Sequence, residues 1–148
     1  MAKVGAIVIC SSAVFFRECI EIAGKLEKLG YKVLLPDVAL AMKKKGNFDV
    51  MAVKTWFNDE AQFTKKTSFV DEHFKKVKKG DAILVVNLKK GKIGGYIGGG
   101  VLMEMGLAYY LKKKIFVLNK VPKDFMLYEE IMALHPVFLN NDFGRIEF

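Results

Sequence analysis

The chain has 148 residues, 52% of them hydrophobic, a formal net charge of +8 and two cysteines. That length and apolar content suit one domain with its own core and exclude an intrinsically disordered chain. No apolar run approaches the roughly 18–20 residues of a membrane span, no cleavable signal is expected before the first strand, and two thiols outside any CxxC spacing make a poor disulfide framework. A reducing, cytoplasmic setting is expected, and the positive charge favours anionic partners.

Taken in order, the chain alternates strand and helix. Residues 3–10 (KVGAIVIC) form a β-branched run of the kind found in buried parallel strands. After Ser11 and Ser12, a helix is expected over residues 13–29, closed by Gly30, with Phe16, Ile20, Ala23 and Leu26 facing inward. A second strand over residues 31–35 stops at Pro36 and Asp37. That βαβ unit should cross over right-handed.

Residues 38–58 are irregular: a lysine-rich turn separates two short, helix-compatible pieces, the second holding Trp56 and Phe57. Segments of this type often cap a pocket. A long amphipathic helix then runs from Asn58 or Asp59 to Lys79, with Phe63, Val70, Phe74 and Val77 as its apolar stripe. Residues 82–87 (AILVVN) read as the third strand, 115–118 as the fourth, 124–134 as a helix and 137–139 as a short fifth strand. The expected fold is α/β: a single domain, residues 1–148, holding a doubly wound five-stranded parallel sheet in the order 2-1-3-4-5, flavodoxin- or Rossmann-like.

Between the third and fourth strands lies a stretch of different character, GKIGGYIGGGVLMEMGLAYYL, residues 91–111. It begins as a glycine-rich loop and becomes helical over residues 101–111. Glu104 is the only ionisable group in that helix apart from the tyrosines, and Leu107, Ala108 and Leu111 are its helical neighbours. A helix apolar all round is normally buried, and a buried carboxylate without a partner is costly or shifts its pKa. Glu104 is therefore a candidate functional group. Met103 and Met105 read as core filler, Tyr109 and Tyr110 as a face for a partner helix, and Cys10 and Cys19 as inert.

In a doubly wound sheet, ligands bind beyond the carboxyl ends of the strands where the order reverses. Here that crevice lies between strands one and three, flanked by the loops after Cys10 and Asn87. Ser11 and Ser12 on one side and Gly94 to Gly100 on the other offer amides and hydroxyls at helix N-termini, which favour phosphate. Lys89, Lys90 and Lys92 could add charge, and Trp56, Phe57 and Phe63 could line a base pocket, though core or subunit packing is the commoner role for such side chains. No GxxxxGK[ST], GxSxG or strand-one GxGxxG is present. His73 and His135 have no zinc-like spacing, so neither a metal nor another cofactor is expected. The lysines form short scattered clusters without a basic tail, so no specific nucleic-acid partner is expected.

The run from Asp81 to Asn119 resembles the nucleoside 2-deoxyribosyltransferase family, including its deoxynucleoside monophosphate N-hydrolase branch. The matching residues are Asp81, Gly100, Glu104, Gly106, Ala108, Lys114 and Ile115, with a looser match over the first strand, Ser11, Ser12 and residues 26–37. The resemblance implies cleavage or transfer of an N-glycosidic bond on a deoxynucleoside or its monophosphate. It makes Glu104 the nucleophile and puts Ser11, Ser12, Tyr96, Gly98, Gly99 and Gly100 around the substrate. It also implies a homodimer or higher homo-oligomer. Two positions depart from it. Gly98 stands where transferases carry an aspartate six residues before the glutamate, which favours the hydrolase side. His73 stands where both branches carry an aspartate, and could replace it as the acid that protonates the leaving base. A weaker resemblance joins Gly98, Gly100 and Glu104 to the PGGxGTxxE motif of cytokinin-releasing phosphoribohydrolases. A third expectation, from a different class, is a non-catalytic nucleotide sensor.

Overall fold

A computed structural model describes residues 5–148. The expected start of the first strand, at Lys3 and Val4, lies outside the described residues. Five strands, β1 Ala6–Cys10, β2 Lys32–Leu34, β3 Ala82–Val85, β4 Lys114–Val117 and β5 Val137–Phe138, form one sheet ordered β2-β1-β3-β4-β5. Every pairing is parallel. The fold is the doubly wound, flavodoxin-like α/β architecture expected from the alternating pattern. Among the described residues, no helix is long and apolar enough to cross a membrane.

Side-chain alternation along the strands builds two cores. Ile7 and Ile9 of β1 join Leu84 and Phe116 on one face. There they meet helices α1 (Phe16–Lys28) and α2 (Asp37–Lys45). Phe16, Cys19, Ala23 and Leu26 form the buried stripe of α1; Leu26, wholly enclosed, contributes about 2–3 kcal/mol of apolar burial. Val8 and Cys10 point to the other face with Ile83, Val85, Ile115 and Val117. That face is covered by α4 (Phe63–Lys79), α5 (Gly99–Tyr110) and α6 (Tyr128–Ala133). Cys10 thus sits at the carboxyl end of β1 beneath α4 and α5.

The register Cys10↔Val85↔Val117 brings the carboxyl ends of β1, β3 and β4 level. Two asparagines then fasten the loops that leave β3 and β4. Asn87 Nδ2 donates to the Asn119 carbonyl at 2.8 Å and to the Gly95 carbonyl at 3.3 Å. The Asn119 amide N–H donates to Asn87 Oδ1 at 2.9 Å, and Asn119 Nδ2 to the Asn87 carbonyl at 3.1 Å. Asn87 is fully buried, so each satisfied group avoids a desolvation cost of about 1–3 kcal/mol. Asp81, at the other end of β3, accepts the Ala6 N–H at 2.8 Å and ties β1 to β3.

Element boundaries differ from the sequence expectations in several places. Pro36 ends β2 but is also the N-cap of α2, because its fixed φ suits a helix start. The irregular stretch resolves into α2, the single turn α3 (Val50–Val53) and a 3₁₀ turn at Thr55–Phe57. The long helix is preceded by a separate 3₁₀ turn, Glu60–Gln62. Its buried residues are His73 and Val77; Phe63, expected in the stripe, is exposed. The glycine-loop helix starts at Gly99, two residues early, and the last helix is shortened to Tyr128–Ala133.

Candidate functional site

α4 and α5 lie side by side over the second core and each turns one polar group toward the end of β1. On α5, Val101, Met105 and Ala108 are buried against the sheet. Glu104 shares that stripe at helical spacing, one turn after Val101. On α4, His73 lies one turn before the buried Val77. The outcome is a three-element cluster. His73 Nε2 stands 3.5 Å from Cys10 Sγ and 3.8 Å from Glu104 Oε2.

Little water reaches this cluster: the His73 and Glu104 side chains are 8% and 15% exposed, and Cys10 is fully buried. Burial pushes the Glu104 carboxyl up to about 8, against weaker opposing pulls from the Cys10 thiol and the Lys66 ammonium. Burial also drives His73 down to about 4, helped by the nearby Lys76 charge and opposed by the Ile9 backbone and Asp37. The pull of the Ile9 backbone falls short of a hydrogen bond of normal geometry, and His73 Nδ1 is buried without a partner. The Cys10 thiol is raised by burial and then by the Glu104 charge. At neutral pH all three groups are held mostly uncharged.

His73 and Glu104 of this cluster form part of the wall of a cavity of ≈ 270 Å³ between the loop after β1 and the N-terminus of α5, with Cys10 behind them. All eight residues singled out in the sequence, Ser11, Ser12, His73, Tyr96, Gly98, Gly99, Gly100 and Glu104, line it. Ser11 Oγ donates to the Val86 carbonyl at 3.1 Å, so it also braces the β1 loop against β3. Ser12 occupies the N-cap of a 3₁₀ turn, yet its hydroxyl makes no capping bond, which leaves it available to the cavity. Gly98 caps α5, and a Cβ at Gly99 or Gly100 would meet nothing within 4 Å. The positive end of that helix therefore opens onto the cavity.

Several groups in or beside the cavity were not read as site residues. Cys10, taken as inert, is in contact with His73; period-two alternation in β1 could have placed it on the α4 side. Lys54 and Lys66 join Lys90 in lining the cavity, and the Lys54 pKa is lowered by burial and then by the Lys90 and Lys66 charges. Lys66 Nζ lies 5.4 Å from the Trp56 ring centroid and Lys90 Nζ 4.6 Å from that of Tyr96. Lys89 and Lys92 do not line the cavity. Trp56 does, whereas Phe57 and Phe63 are exposed and do not. Met103, expected in the core, is 49% exposed at the cavity edge.

A pocket combining a mostly buried carboxyl, free helix amides and three ammonium groups suits an anion-bearing small molecule with a site for acid–base or nucleophilic chemistry next to it. No protein-family model matches the chain, and no curated protein matches it.

Proposed function

We propose that the cavity takes a deoxynucleoside or its monophosphate and cleaves the N-glycosidic bond, with Glu104 as nucleophile. The observation that carries this reading is that one carboxyl and the anion-favouring loops converge on a single ≈ 270 Å³ cavity, close to the lower limit for small-molecule sites of about 300 Å³. Ionised Glu104 attacks the anomeric carbon as the base departs with the bonding electron pair. Water then hydrolyses the glycosyl ester, regenerating the Glu104 carboxylate, while the water's proton ends on the released base. The amides at Gly99 and Gly100, Ser12 and the lysines Lys54, Lys66 and Lys90 hold the sugar or its phosphate, and Tyr96 offers a ring for stacking or a hydrogen bond. Supplying the leaving base with a proton would need an imidazolium, the form that burial of His73 disfavours. His73 is instead a positioning residue for the Glu104 carboxylate.

Incubation with a panel of deoxynucleosides and their monophosphates should release free base. Glu104→Gln should remove that release while melting as cooperatively as the wild type. Undiminished release from the variant would take Glu104 out of the mechanism. A second reading, a nucleotide sensor, draws on the pKa of about 8, since a mostly neutral Glu104 is also a hydrogen-bond donor. Thermal stabilisation by a nucleotide without turnover would select it. A dimer or higher homo-oligomer belongs to the same proposal, and the exposed Tyr109 and Tyr110 at the end of α5 are the surface it would cover.

A further inference from the structure

The site as described leaves the Cys10 thiol without a task. It also leaves His73 Nε2 aimed at two groups, neither of which is a conventional ion-pair partner for it at neutral pH. We propose that Cys10, His73 and Glu104 form a binding site for one borderline-soft divalent cation, with Zn²⁺ the best match, whose fourth position opens onto the cavity.

The spacing fits. Zinc bonds of about 2.3 Å to sulfur and about 2.0–2.2 Å to nitrogen and oxygen, arranged tetrahedrally, set ligand atoms about 3.4–3.6 Å apart. Here sulfur and nitrogen are 3.5 Å apart, nitrogen and oxygen 3.8 Å, and all three donor atoms lie within 4.8 Å of one another. A small turn of the Glu104 side chain closes the remaining gap. The donor set fits as well. A thiolate disfavours Mg²⁺ and Ca²⁺, while thiolate, imidazole and carboxylate together suit zinc. Each donor comes from a different packed element, β1, α4 and α5, so the arrangement is held before any ion arrives. His73 and Glu104 line the cavity and Cys10 does not, which puts the free coordination position on the solvent side, as three-ligand zinc sites require. Binding releases the Cys10 proton. A ligated Glu104 cannot attack a sugar, so on the glycoside-cleavage reading the ion and the substrate exclude each other.

The test uses the full chain stripped of metal and titrated with Co²⁺ alone, then with Zn²⁺ as competitor. One equivalent of Co²⁺ should give tetrahedral ligand-field absorption together with a thiolate-to-cobalt charge-transfer band, and Zn²⁺ should displace it. Cys10→Ser should lose the charge-transfer band, and His73→Gln and Glu104→Gln should each weaken binding at least about tenfold. Cys19→Ser, on the opposite face of the sheet, should match the wild type. Circular dichroism identifies any variant that has not folded, and the three ligand variants serve as independent checks. Failure to bind one equivalent, a cobalt spectrum without the thiolate band, or a band that survives Cys10→Ser would overturn the assignment. Because no nucleoside is present, this result is independent of whether base release is ever observed.

Discussion

Glu104 and His73 face each other across 3.8 Å, and burial pushes their pKa values in opposite directions, to about 8 and about 4. Both shifts favour the neutral partner, so at pH 7 the pair is mainly a carboxylic acid beside an imidazole. If the ionised carboxylate is the nucleophile, only a minority of molecules are ready to react at neutrality. Base release, measured as kcat/KM, should therefore rise about tenfold per pH unit below pH 8 and level off above it. A profile that is flat from pH 6 to 9 would exclude Glu104 as the titrating nucleophile.

The same two shifts bear on stability. Glu104 has a raised folded-state pKa, so its contribution is fully present below the unfolded value of 4.5 and is lost as pH rises through about 8. His73 has a depressed pKa, so its contribution is present above 6.5 and is lost as pH falls toward about 4. Glu104→Gln should accordingly melt higher than wild type at pH 9, by on the order of 2–3 kcal/mol. The difference should shrink toward pH 5. Thermal melts across pH 4–9 measure both limbs.

Gly95 is the tightest point of the glycine loop. It adopts φ +66°, and a Cβ there would lie 2.2 Å from the Lys120 carbonyl oxygen. Gly95→Ala should destabilise the protein by about 2–4 kcal/mol, since both the backbone conformation and the collision oppose it. Gly99→Ala, which meets nothing within 4 Å, should change stability by less than about 1 kcal/mol. Denaturant unfolding of the two variants separates the loop's structural glycine from one facing open space.

Lys54, Lys66 and Lys90 all line the cavity, and the Lys54 pKa is lowered by burial and then by the Lys90 and Lys66 charges. Relief of that repulsion by a bound phosphate should favour monophosphates over nucleosides. Lys54→Gln should raise the monophosphate Kd by about three- to tenfold while leaving the nucleoside Kd nearly unchanged, and added salt should erase much of the difference. Equal losses for both ligands would place the phosphate elsewhere.

The architecture was readable because the strands are short apolar runs rich in valine and isoleucine, several of them bounded by glycine, proline or asparagine, as in residues 82–87. Glu104 stood out because a carboxylate in an apolar helix needs a reason to be there. The uniform hydrophobicity of that helix also hid which face is inward. Met103, Tyr109 and Tyr110 are exposed, a fact no periodicity could report. His73 concealed its burial in the opposite way: it lies among lysines and acids, and the expected stripe ran through Phe63 instead. Lys54 and Lys66 looked like ordinary solvated charges, because only the packing of α4 and the turn before it brings them to the cavity wall. Cys10 needed two steps at once, strand alternation and the helix above it.

The amide clasp between Asn87 and Asn119 has a thermodynamic corollary. It braces the loops that leave β3 and β4 through groups that do not themselves line the cavity, so a molecule entering it would meet a surface already organised. Little of its interaction free energy goes into ordering the loop, and its association should proceed at nearly the encounter-limited rate of a rigid receptor.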